Sequence, residues 1–182
     1  MTIYWTLLLP TTPADKPFRI VSYGNALRAN KRQLRNAFEV SRIGDERRAL
    51  MMAMAMIETT TLTPSLRDAD KDRRTDRAAN ASIFNLNEDL LRQLGYEGDI
   101  HLLDPLSALP DVVTLISKGV DTWGVTRLLN FVRGGRTAFN DGVSFGAADY
   151  RNAVATGLRN IDRYPSLMWD DRRVEMNVPH MG

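Results

Sequence analysis

The chain has 182 residues, 43% of them hydrophobic, with no cysteine, two histidines and a formal net charge of +2. Such a chain suits one compact domain over 1–182; it excludes disulfide staples, thiolate catalysis and Cys-based zinc sites, and no apolar run approaches the ~18 residues of a membrane span. Twenty Arg against four Lys lift the pI to 9.1, but acids interleave with them in Asp68–Arg77 and Asp170–Arg173, so the clustered basic surface of a nucleic-acid binder is not expected.

The first thirty residues are rich in turn formers (Pro10, Pro13, Pro17, Gly24), with short apolar pieces at Ile3–Leu9 and Phe18–Val21 that suit strands. Tyr4–Pro10 lacks a preceding basic stretch and a small-residue cleavage site, so it does not read as a signal peptide. Helical patterning begins near Asn30. Asp45 suits an N-cap for a helix over Glu46–Thr60. A polar loop, Thr61–Ala79, crowded with Asp and Arg, follows. Ile83–Phe84 suits a short strand or turn. Asn87 is placed to cap a helix over Glu88–Leu94, ended by Gly95 in the left-handed conformation. Asp104–Ser117 is mixed, with Pro105 and Pro110. Asp121 is expected to open a helix running to about Arg133 and stopped by Gly134–Gly135. Gly142–Gly146 reads as a loop. Ala147–Asp162 reads as a helix with Tyr150, Val154 and Leu158 on one stripe. The tail from Trp169 has no usable period. The fold class expected is α+β with helices dominant.

One segment stands out chemically. Ala49–Ile57 is nine apolar residues in a row, so its helix has no polar face and should run through the middle of the domain. Glu58 follows directly, within about 20–40° of Met51 and Met54 around the helix. A carboxyl continuing a buried face loses hydration, which favours its protonated form, the form a general acid needs. The plainer alternative is that the helix ends and Glu58 escapes to water. A second carboxyl is available in the next loop, from Asp68, Asp70, Asp72 and Asp76. Two carboxyls roughly 6.5–9.5 Å apart serve an inverting glycosidase, one protonating the leaving oxygen and the other activating water. Calcium is the rival for an Asp-rich loop, but the glycine and downstream Glu of an EF-hand loop are missing. His101 and His180 lie far apart, so no metal site is expected, and acid–base hydrolysis by two carboxyls needs no cofactor.

Four blocks carry a resemblance: Ala-Met-Ala-Met-Ile-Glu-Thr (53–59), Asp-Lys-Asp (70–72), Ala-Asn-Ala-Ser-Ile-Phe-Asn-Leu-Asn (79–87) and Arg-Gly-Gly-Arg-Thr (133–137). Together they resemble family 134 of the glycoside hydrolases, over about Arg47 to Tyr164. Residues 1–40 carry no such signal, and Phe84-Asn-Leu-Asn departs from the lysine- and glutamine-bearing family version. The resemblance implies a secreted endo-β-1,4-mannanase with a lysozyme-like fold and an inverting mechanism; a monomer acting on mannan or mannooligosaccharides is expected. It implies Glu58 as general acid and a loop Asp as general base: Asp72 counting back from Ile83-Phe84, Asp70 counting forward from Glu58. It also implies a cleft lined by Asn80, Asn85, Asn87, Arg133 and Arg136, with Trp123, Phe145 and Tyr150 as candidate sugar platforms. Turn, cap, helix-stop and core roles compete for each of these. The alternatives are another lysozyme-like polysaccharide hydrolase, acting on chitosan, chitin or peptidoglycan, and a non-catalytic carbohydrate-binding domain.

Overall fold

The computed structural model describes residues 18–63, 80–142 and 145–176, and of residue 145 the backbone alone. In chain order these form β1 (Phe18–Ser22), α1 (Gly24–Val40), α2 (Asp45–Glu58), β2 (Asn80–Ala81), β3 (Leu86–Asn87), α3 (Glu88–Gln93), α4 (Leu109–Asp141), α5 (Phe145–Arg163) and β4 (Arg172–Met176). Short 3-10 turns lie at Ile100–Leu103, Leu106–Ala108 and Pro165–Met168. With 71% of the described residues helical and two small antiparallel sheets, this is a helix-dominated α+β fold.

The apolar run does what its composition requires. Leu50 through Met56 are all at most 1% exposed, so α2 is buried all round rather than along one stripe. It packs chiefly on α5, with α1 and β4 completing its surroundings. The two central helices approach closely at Gly157, where an added Cβ would sit 3.1 Å from the Ala53 Cβ. Tyr150, Val154 and Leu158 are buried in the same core, as their spacing implies. Gly44 rather than Asp45 caps α2; Asp45 and Glu46 occupy its first turn, where acidic charge meets the positive end of the helix.

Other boundaries moved further. Helix α1 begins at Gly24, six residues before the expected onset, because its buried face runs Leu27, Lys31, Leu34 and Phe38 and a lysine interrupts the apolar pattern. Asp121 opens nothing. The helical segment α4 starts at Leu109, with proline in its first turn, and passes through Asp121. Its breaks are at Gly124 (φ 76°, ψ 164°) and Gly135 (φ 63°, ψ −158°), backbone conformations open essentially to glycine. Trp123, Phe131 and Phe139, one from each of the three pieces, meet in an aromatic cluster with centroids 5.0–5.9 Å apart.

Both strand expectations within the described residues hold. The front strand is Phe18–Ser22, and its partner is β4 in the tail, in antiparallel register from Phe18↔Met176 to Ser22↔Arg172. Ile83 and Phe84 form the buried turn between β2 and β3, where Asn80 pairs with Asn87 and Ala81 with Leu86. Asn87 caps α3 through a 2.8 Å bond from the Leu90 N–H, and Gly95 follows that helix with φ +87°, both as read from the sequence. No described helix is long and apolar enough to cross a membrane.

Candidate functional site around Glu58

Glu58 is the last residue of α2 and only half-buried, separated by the half-buried Ile57 from the buried run Leu50–Met56. The helix ends because Thr59 turns to extended backbone (φ −138°, ψ 144°) while its N–H and hydroxyl both bond the Ala55 carbonyl, at 3.1 and 3.2 Å. The Thr59 carbonyl accepts from the Arg173 guanidinium at 3.0 Å. A cation at the negative end of a helix is favourably placed. Burial draws the Arg173 pKa down to about 10, so it remains cationic at neutral pH. The tail strand thereby fixes the exit of the chain just beyond Glu58, a contact to which the aperiodic tail sequence gave no clue.

The β2–β3 turn supplies the carboxylate's nearest partner. Asn85 is 8% exposed, in the left-handed region at φ 48°, which Asn tolerates better than most residues. Its amide Nδ2 donates to Glu58 Oε2 at 2.9 Å and reaches the Glu58 carbonyl at 3.5 Å. The turn is held in place from outside: Asp104 Oδ1 accepts from the Ser82 N–H at 2.9 Å, and Ser82 Oγ accepts from the Phe84 N–H at 3.2 Å. Asn85 was expected to meet the sugar; its amide instead meets the carboxylate.

Helix α5 brings Tyr150 to the same carboxylate. At 3% exposure it has no open face to stack on a sugar, which corrects the platform reading. Burial first, and then the neighbouring Glu58 charge, hold its hydroxyl well above the usual tyrosine pKa; the Arg133 charge acts in the opposite sense. Glu58, Asn85 and Tyr150 thus converge from α2, the β2–β3 turn and α5, with the exposed Arg133 of α4 near by.

The remaining expected residues are distributed around this centre. Asn80 is half-buried on β2. The Asn87 amide is engaged at both ends, accepting from Leu90 and donating to the Phe131 carbonyl at 3.2 Å. Arg136 forms a two-bond ion pair with Asp89 of α3, at 2.7 and 3.0 Å. Trp123 lies in the aromatic cluster of α4, edge-on to Phe139. Phe145 opens α5. Asp70 and Asp72 lie outside the described residues. Among the described residues, no three His, Asp or Glu side chains gather as metal ligands would. A scan against known protein families finds no matching family model, and a search of curated proteins finds no match either, so the chemistry rests on the residues of the site.

Proposed function

We propose that this chain is an inverting endo-β-1,4-mannanase in which Glu58 is the general acid and Asp72, or Asp70, the general base. The observation that carries the reading is a half-buried carboxyl at the end of a helix buried all round, held by an amide at 2.9 Å. The resemblance of the blocks around 53–59, 70–72, 79–87 and 133–137 supplies the substrate class. In this mechanism Glu58 gives its proton to the glycosidic oxygen as the bond to the anomeric carbon breaks. The loop carboxylate takes a proton from the water that attacks from the opposite face, so the β-linkage yields an α-product. A lysozyme-like cleft and export to an extracellular polysaccharide belong to the same reading.

Reducing-sugar release from mannan, tested against glucan, xylan and chitosan, decides substrate class; preference for chitosan would move the reading to another lysozyme-like hydrolase. Glu58→Gln keeps the volume and lacks the proton, so its rate should fall roughly 10²–10⁴-fold while the fold survives. Proton NMR of fresh product from a mannan oligosaccharide should show the α-anomer first; an initial β-anomer would mean a retaining enzyme and a different partner for Glu58. Of Asp72→Asn and Asp70→Asn, the variant of the true base should match the Glu58 variant, and the other should keep most activity.

A further inference from the structure

Amides and buried hydroxyls in a polysaccharide cleft are ordinarily assigned to sugar hydroxyls. The geometry of Asn85 and Tyr150 gives them another object. Asn85 spends its Nδ2 on Glu58, from a backbone conformation that the Ser82 and Asp104 contacts hold in place. The Tyr150 hydroxyl is buried and has no hydrogen-bond partner among the described residues. A donor left in that condition is costly. Burial first, and then the charge of the nearby Glu58, hold its proton on.

We propose that Asn85 and Tyr150 are positioning residues that form a two-donor cradle for the Glu58 carboxylate, rather than contacts for the sugar. This rests on Glu58 being the general acid. When Glu58 gives up its proton, negative charge appears on its two oxygens. The Asn85 N–H that already donates to one oxygen, and the buried Tyr150 O–H beside the carboxylate, bind the anion more strongly than the neutral acid, which lowers the barrier to proton transfer. Tyr150 is the more telling of the two, because its hydroxyl has no partner among the described residues in the resting site and would gain one as the charge develops. Charges near this group include Arg133, acting on Tyr150, and Arg173, one residue on at the Thr59 carbonyl.

The test uses Tyr150→Phe, which removes only the hydroxyl, and Asn85→Gly, which removes the amide at a positive φ that glycine adopts without strain. On a mannan oligosaccharide each variant should lose about 10- to 100-fold in kcat with KM within about twofold. On the 2,4-dinitrophenyl glycoside of mannobiose, whose leaving group needs no proton, the loss should shrink to less than about threefold. A rise in KM on both substrates at unchanged kcat, equal losses in kcat on both, or wild-type kinetics on both would overturn the proposal. A second readout needs no turnover. In protein carrying 13C in its glutamate carboxyls, with Glu58→Gln to assign the signal, the Glu58 resonance should titrate at higher pH in each variant than in wild type. Coincident titrations would overturn the cradle even if the chain hydrolyses mannan. Displaced titrations in a chain that leaves mannan intact would retain the cradle and remove the mannanase.

Discussion

Lys31 shows how one residue can join distant parts of this chain. It occupies a core position of α1, fully buried, and its ammonium donates to the carbonyls of Leu167 and Arg172, with Asp170 at 3.7 Å. Burial lowers its pKa to about 8 against 10.5 in an exposed chain, and Asp170 only partly offsets that. Between those values the unfolded chain holds a proton that the folded chain has shed. Lys31 therefore makes stability rise with pH across about 8 to 10.5, and the benefit is lost as pH falls through about 8. Lys31→Met removes this dependence and leaves two carbonyls without their donor, so the variant should be less stable throughout. The gap to wild type should widen by about 2 kcal/mol between pH 7.5 and 10, measured by urea unfolding. A gap constant with pH would contradict the burial account. A lysine at this position reads in the sequence as a break in the apolar stripe; only the fold reveals that carbonyls from 136 and 141 residues away surround it.

Among the elements, the α2–α5 contact sets where Glu58 and Tyr150 stand relative to one another. Gly157 faces Ala53 so closely that a larger side chain has no rotamer to retreat into, because the neighbour is a Cβ on a buried helix. Gly157→Val should cost about 1–3 kcal/mol by overpacking and lower the melting temperature by roughly 5 °C. It should also reduce hydrolysis, since prising α2 from α5 separates the acid from Tyr150. Calorimetry and the mannan assay check the two parts; an unchanged melting temperature would mean the helices have slack at this crossing. The burial of both helices was legible, from the unbroken apolar run in one and the 150–154–158 stripe in the other. The small residues that let them meet were not, because Gly157 lies within a helical pattern that its sequence neighbours already explain.

For the molecule as a whole, the tail closes the structure. Strand β4 pairs with β1, buries Val174, supplies Arg173 to the end of α2 and presents the Arg172 carbonyl to Lys31. Deleting residues 172–182 should therefore cost about 5 kcal/mol or more, most of a small domain's stability, because it unpairs β1 and leaves Lys31 and the Thr59 carbonyl short of partners. Circular dichroism on heating should show the cooperative transition lost or lowered by more than about 10 °C; a truncated chain melting like the intact one would make the tail an appendage. What the sequence by itself determined was local. The nine-residue run fixed a buried helix, the step from Ile57 to Glu58 fixed a carboxyl at its end, Asn87 and Gly95 fixed the bounds of α3, and the helical periodicity of successive segments fixed helix dominance. Each depends on neighbours within a few residues, whose spacing and propensities a linear reading contains. The tertiary structure alone decided that Asn85 and Tyr150 meet Glu58 from 27 and 92 residues away, that Arg173 reaches Thr59 across 114, and that Arg172–Met176 is a strand. A β-ladder and a converging site draw their stability from partners remote in the chain, so neither leaves a period in the sequence of one partner alone.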